Sequence, residues 1–208
     1  HDLPVIRDFS ASSIIQALKK RKSVIILPEN EDDRNGAPAV IAHGSVSPEQ
    51  GFVTLSSVCF ACFVKFFTDY LDALQDRTAT DNDHALFDIT VSGLDAIRTD
   101  PPDLMPGPFR NEAEVLKAVT EAGLKTVQYG LVDSYFGNVS CLWGDTLYIS
   151  QTGSSLDELA GCIDPVPLDG STSAGLTASS ELSAHLDTIA RTGCSTILHG
   201  HPRFSVIL

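Results

Sequence analysis

Two histidines separated by one glycine, His199-Gly200-His201, close the strand-like run Ser195-Thr196-Ile197-Leu198. On a strand, residues two apart face the same side. The glycine between them adds no side chain to the other side and leaves room for another backbone to approach. Two neutral imidazoles presented together can bind one divalent metal. A third ligand completes such a site, and an open position lets the metal do chemistry. The ordinary alternative for His-x-His is a pair of structural or surface histidines.

Three short motifs upstream favour the metal. They are Gly137-Asn138-Val139-Ser140, Thr152-Gly153 and Ser179-Ser180-Glu181. Taken singly they read as a turn, a loop and a helix start. Taken together they describe a site. Asn138, Thr152, Gly153, Ser179 and Ser180 offer neutral hydrogen-bonding groups. The first turn of a helix over 181–192 offers free N–H groups and a positive dipole end, which suit an anion such as phosphate. Glu181 then becomes a carboxylate beside a metal, of the kind used for acid–base work.

The elements that must hold these residues are legible from periodicity and caps. Ser180 opens the 181–192 helix, with Leu182, Leu186 and Ile189 on one face. Residues 139–143 and 146–150 read as a hairpin around Gly144-Asp145. Asn111 and Glu114 start a helix that Gly130 stops. Ser155 and Glu158 read as the cap of a short helix. Earlier in the chain, Ser10 caps a helix over 11–21, followed by a buried-type strand at 24–27. A second apolar run, 39–42, leads into His43-Gly44. Ser47-Pro48-Glu49-Gln50 is a strong helix start, and the helix should run to about residue 74. Residues 76–84 read as a loop and 86–91 as a strand. A Pro-rich linker at 101–110 separates segment 1–100 from segment 111–208.

At 208 residues the chain can bury a proper core. The net charge of −13 argues against nucleic acid or an anionic membrane as partner. Mean hydropathy is close to zero. The greasiest stretch, 52–74, is interrupted by Lys65, Asp69 and Asp72 and falls short of the roughly 18 uninterrupted apolar residues of a membrane helix. It reads as a buried helix, with an aromatic stripe of Phe60, Phe63, Phe67 and Tyr70. Five cysteines make an odd count, and Cys59-x-x-Cys62 reads as core packing. No signal peptide is evident, so a cytoplasmic location is expected. The start at His1 and the abrupt stop after a strand suggest a fragment or a processed form.

In order and spacing, the stretch 112–208 resembles the N-terminal half of the class II aldolase/adducin family. The matching residues are Tyr129-Gly130-Leu131-Val132, Gly137-Asn138-Val139-Ser140, Gly144-Asp145, Thr152-Gly153, Ser179-Ser180-Glu181, His185 and His199-Gly200-His201-Pro202. The resemblance implies a three-layer α/β/α fold around a mostly antiparallel sheet. It implies a zinc-dependent lyase or epimerase, with Mn2+ or Co2+ also suited to the ligands, and a homo-oligomer, typically a tetramer. By carry-over, His199 and His201 would bind the metal and Glu181 would be the acid/base. Asn138, Thr152, Gly153, Ser179 and Ser180 would bind the anionic end of a small hydroxy-carbonyl substrate that reacts through an enediolate. A non-catalytic, adducin-like binding domain and a related metal-dependent decarboxylase are the alternatives.

The family's third zinc histidine lies downstream, in a His-Gly between a strand and a long helix. This chain ends before any such segment. Ala39-Val40-Ile41-Ala42-His43-Gly44, followed by the helix from Pro48, looks like that segment placed upstream. His43 is therefore the expected third ligand, in a permuted or fragmentary chain. His185 and His84 are weaker candidates, and His185 is expected to pack on its helix face. Residues 14–36 also faintly resemble the opening of dihydroxybutanone-phosphate synthases, without the acidic residues expected after Arg34.

Overall fold

Ser10, Ser47, Asn111 and Gly130 each punctuate a helix where their chemistry predicts. The computed structural model describes residues 3–28, 38–94, 100–132, 135–171 and 177–207. The chain divides into two compact units, one ending at His84 and the other starting at Ala85.

In the first unit, β1 (Val5–Ile6) runs parallel to β2 (Ser23–Ile26), which pairs antiparallel with β3 (Ala39–Ala42). Helix α1 (Ala11–Lys20) is capped by Ser10, whose hydroxyl accepts from the Ser13 N–H, and Lys19 and Lys20 lie at its negative end. Val24 and Ile26 of β2 are fully buried. Helix α2 (Pro48–Gln75) starts at Ser47, which accepts from the Gln50 N–H. Gln50 Oε1 in turn accepts from the N–H groups of Ser45 and Val46.

Helix α2 has the expected bounds but not the expected burial. Only Val58 and Phe67 are buried along its 28 residues. Cys59 and Cys62 are free and exposed rather than packed in a core. Three strands of two to four residues offer too little surface to cover so long a helix. By length and composition alone, α2 is the one helix among the described residues that could cross a membrane. The hydropathy argument against such a span therefore does not hold for α2, although Lys65, Asp69 and Asp72 lie along it.

Helix α3 (Asp81–Ser92) replaces the strand expected at 86–91 and shortens the expected loop. Thr80 Oγ1 accepts from the Asp83 N–H, and Asp83 Oδ2 accepts from the Thr80 N–H, a reciprocal cap that starts a helix. The β-branched run Ile89-Thr90-Val91 mimics a strand, but the cap upstream decides the outcome. The division between the two units falls within this helix.

The second unit is built on α4 (Glu112–Gln128), β4 (Asn138–Trp143), β5 (Thr146–Ser150), β6 (Ile163–Pro167), α5 (Leu182–Thr192) and β7 (Thr196–His199). Its sheet has the order β6-β5-β4-β7, and every pairing is antiparallel. Strand alternation sorts the side chains into two cores. Val139, Cys141 and Tyr148 face α4, where Val115 and Val119 meet them with Leu156 and Leu159. Leu147, Ile149 and Val166 face the other way, against Ala178 and Ile189, with Leu182 and Leu186 of α5 packed alongside. A helix on each face of an antiparallel sheet is the three-layer α/β/α arrangement expected.

Strand β6 is absent from the sequence reading because Pro165 and Pro167 lie in it. Both are tolerable since β6 is an edge strand, where a missing N–H costs no ladder bond. The short helix expected after Ser155 is a turn instead, closed by the Glu158 N–H on the Ser155 carbonyl. Leu156 and Leu159 use that turn to plug the core. Gly123 of α4 makes room for it, since a Cβ there would lie 2.4 Å from the Leu156 carbonyl oxygen.

Candidate active site

Sheet register creates the site. Asn138 pairs with His199 and Ser140 with Ile197, so Asn138, Ser140 and His199 all face α5. Helix α5 begins at Leu182, with Glu181 as its N-cap rather than Ser180. The Glu181 side chain makes no capping bond and is free to turn to the sheet. It does so: Glu181 Oε2 accepts from Asn138 Nδ2 at 3.0 Å and lies 2.7 Å from His199 Nδ1. One helical turn on, His185 is buried between Ser140 and Asn138. Its Nδ1 is 2.7 Å from Ser140 Oγ and its Nε2 is 2.5 Å from Asn138 Oδ1.

The histidine pair is close even though only His199 belongs to β7. The rings of His199 and His201 have centroids 4.7 Å apart, and Phe136 stands edge-on to His201 at 6.1 Å. The two glycines flanking His199 in space are structurally required. A Cβ at Gly200 would lie 2.9 Å from the Leu131 carbonyl oxygen. Gly137 has φ of +77°, and a Cβ there would lie 2.3 Å from the His199 carbonyl oxygen.

Hydrogen bonding fixes the electrostatics. The Asn138 amide holds the Glu181 carboxyl below its ordinary value; burial opposes it, and the His199 contact adds a smaller pull downward. Burial pushes the His185 imidazole below its ordinary value, so it is neutral around pH 7. Glu181 and His199 remain partly open to solvent, at 44% and 35% side-chain exposure, so a substrate can reach both.

The candidate anion-binding residues lie on the two segments that meet at one β-bridge. An antiparallel bridge from Gln151 to Ala178 sets Thr152 against Thr177 and Ser179 against Ser150. The Thr152 hydroxyl donates to the Ala178 carbonyl, and Ser179 Oγ accepts from the Glu181 N–H at 3.3 Å. Ser180 is exposed. Gly153 adopts φ of +75°. Asn138 is 5% exposed, and both ends of its amide are engaged.

His43 belongs to the first unit, just beyond β3, where its N–H donates to the Lys22 carbonyl. His84 lies in the same unit, with Nδ1 2.8 Å from the Tyr70 hydroxyl. Ser140 was not singled out in the sequence, and His185 was read as a packing residue. The available signal was spacing: His185 is four residues beyond Glu181 and so shares its helix face.

Among the described residues, no group of three or more His, Cys, Asp or Glu side chains is arranged to hold a metal. The donor chemistry nevertheless fits two ligands of one. A carboxylate only accepts hydrogen bonds, so the close contact with Glu181 puts a proton on His199 Nδ1. That leaves the Nε2 lone pair free for a metal, the usual carboxylate–histidine arrangement.

The comparisons with known proteins bear on this same region. No curated protein matches the chain. Among solved structures, L-fuculose-1-phosphate aldolase from Thermus thermophilus is similar at 28% identity, over 44% of this chain and 47% of that one, with a TM-score of 0.40. YgbL from Escherichia coli, a candidate aldolase/epimerase/decarboxylase, is similar at 27% identity, over 42% of this chain and 44% of that one, with a TM-score of 0.39. The matched region thus spans less than half the length of either relative. The family model described as Class II Aldolase and Adducin N-terminal domain matches residues 117–208. On that match, this stretch of the chain is similar to the class II aldolase and adducin N-terminal domain.

Proposed function

We propose that the second unit carries the centre of a metal-dependent, aldolase- or epimerase-type lyase acting on a small hydroxy-carbonyl compound with an anionic, phosphate-like end. The observation that carries this reading is the contact of Glu181 with His199, with the His201 ring alongside. It combines a base and a metal-ready imidazole pair in one solvent-accessible place. A domain used only for binding has no need of that combination.

In this reading His199 and His201 would hold zinc as two of its ligands. Zinc held there would supply Lewis-acid polarisation of a carbonyl and offset negative charge that develops as a carbon–carbon or carbon–hydrogen bond breaks. Glu181 is ionised at neutral pH and takes or returns the proton. Thr152, Gly153, Ser179 and Ser180 bind the anionic end of the substrate. The working form is a homo-oligomer, as in the family.

The test is zinc content by elemental analysis, with cleavage of a panel of ketose 1-phosphates that includes L-fuculose 1-phosphate. Wild-type protein should retain zinc and cleave at least one compound, and His199→Ala should lose both. Equal zinc and equal cleavage in the two proteins would rule the reading out.

A further inference from the structure

Glu181 does not meet His199 by its own packing alone. Behind it runs a buried line of polar groups: Ser140 is fully buried, His185 is 3% exposed and Asn138 is 5% exposed. Every buried side-chain nitrogen or oxygen among the described residues has a hydrogen-bond partner. The directions in this line follow from one fact, that the Glu181 carboxylate can only accept. The Asn138 group facing it must therefore be the NH2, which turns Oδ1 towards His185. Oδ1 accepts only, so His185 Nε2 carries the proton. A neutral imidazole then has a bare Nδ1, and the Ser140 hydroxyl donates to it. At the far end, His199 Nδ1–H donates to the same carboxylate oxygen. The 3.4 Å approach of Asn138 Nδ2 to His199 Nδ1 sets two donors side by side and is not a bond.

We infer that Ser140, His185 and Asn138 form a positioning relay that locks the Asn138 amide in one orientation, and that the amide in turn aims the Glu181 carboxylate at His199. Asn138 thereby acts on the acid/base and, through it, on the metal ligand. This rests on the metal-centre reading of Glu181 and His199. It adds three residues whose burial keeps them from the reacting atoms. Their effect is geometric. A buried amide with its oxygen pinned by His185 cannot flip to present that oxygen to the carboxylate, where two acceptors would repel. Glu181, at the start of a helix and partly in solvent, has rotamer freedom that the amide removes.

Imidazole 15N–1H correlation spectra test the relay at a pH above 7, together with zinc affinity measured by competition with a chelator. In wild type, His185 should be the Nε2–H tautomer and His199 the Nδ1–H tautomer. Ser140→Ala should keep His185 in the Nε2–H form, held by Asn138 Oδ1, and shift its Nδ1 15N signal as the hydroxyl donor is lost. Asn138→Ala should move the His199 ring 15N shifts and weaken zinc about 10- to 100-fold, the usual effect of removing a group that orients a ligand. If Asn138→Ala does not fold, the wild-type tautomers and Ser140→Ala decide. A wild-type His185 in the Nδ1–H form overturns the relay, as do His199 shifts that ignore both substitutions. If wild type binds no zinc while the tautomers and shifts behave as expected, the relay stands and the metal reading falls.

Discussion

Glu181 Oε2 and His199 Nδ1 lie 2.7 Å apart, joining the head of helix α5 to the end of strand β7. This one contact assigns three properties at once. It selects the His199 tautomer and frees Nε2. It holds the carboxylate ionised, together with Asn138. It also leaves Glu181 without a proton at neutral pH, since its carboxyl is held below its ordinary value.

Replacing that base while keeping its shape separates chemistry from metal binding. Glu181→Gln should lower turnover by about 10²- to 10⁴-fold, the usual contribution of a positioned acid–base group. Zinc content should stay within a few-fold of wild type, because the glutamine Oε1 can still accept from His199 Nδ1–H and from the Asn138 amide. Steady-state turnover and elemental analysis on the same preparation check this. Turnover within a factor of two of wild type would show that Glu181 is not the proton carrier.

The fold should lose stability in acid because of His185. Burial lowers its folded-state value below 6.5, so between those two values the unfolded chain binds more protons than the native one. Its contribution is fully present above pH 6.5 and is lost as pH falls below that. Glu181 acts in a lower window: its value also drops on folding, from 4.5, so its contribution is present above pH 4.5 and is lost below it. Urea melts of wild type and His185→Gln at pH 7.5 and pH 5 distinguish the two. Wild type should lose more stability between those points than the variant. Equal losses would mean that His185 is protonated in the fold as readily as in the unfolded chain.

Gly200 should be intolerant for steric reasons rather than for backbone conformation. A Cβ there would sit 2.9 Å from the Leu131 carbonyl oxygen, a backbone atom that cannot swing aside. Gly200→Ala should cost about 1–3 kcal/mol, the range for overpacking a close contact. It should also weaken zinc binding, because relief of the clash moves His201 away from His199. Thermal melts and chelator competition measure the two effects. A melt unchanged from wild type would show that the approach to Leu131 is looser than this.

Several elements were legible before any coordinates. Helices α2 and α4 start where Ser47-Pro48 and Asn111-x-x-Glu114 place them. The β4–β5 hairpin turns at Gly144-Asp145, with Gly144 at φ of +59°. These features are local, and a cap or a turn is decided within four or five residues. Strand β6 and helix α3 escaped for the opposite reason. The prolines of β6 are permitted by its edge position, and the strand-like run in α3 is overruled by a cap several residues before it. The exposure of α2 was also hidden, because hydropathy records what a helix would bury and not what its neighbours can cover.

For the candidate site, the sequence alone determined which groups could do the chemistry: a histidine pair about a glycine, a carboxylate at a helix start, and loops of neutral hydrogen-bonding residues. Only the tertiary structure decided how they are joined. The antiparallel register that sets Asn138 against His199 is a long-range fact, as is the packing of α5 that brings His185 onto Ser140. Hydrogen bonds between groups 43 to 47 residues apart leave no trace in local spacing. That is why Asn138 reads as a substrate ligand in the sequence and stands in the structure as a buried link between His185 and Glu181.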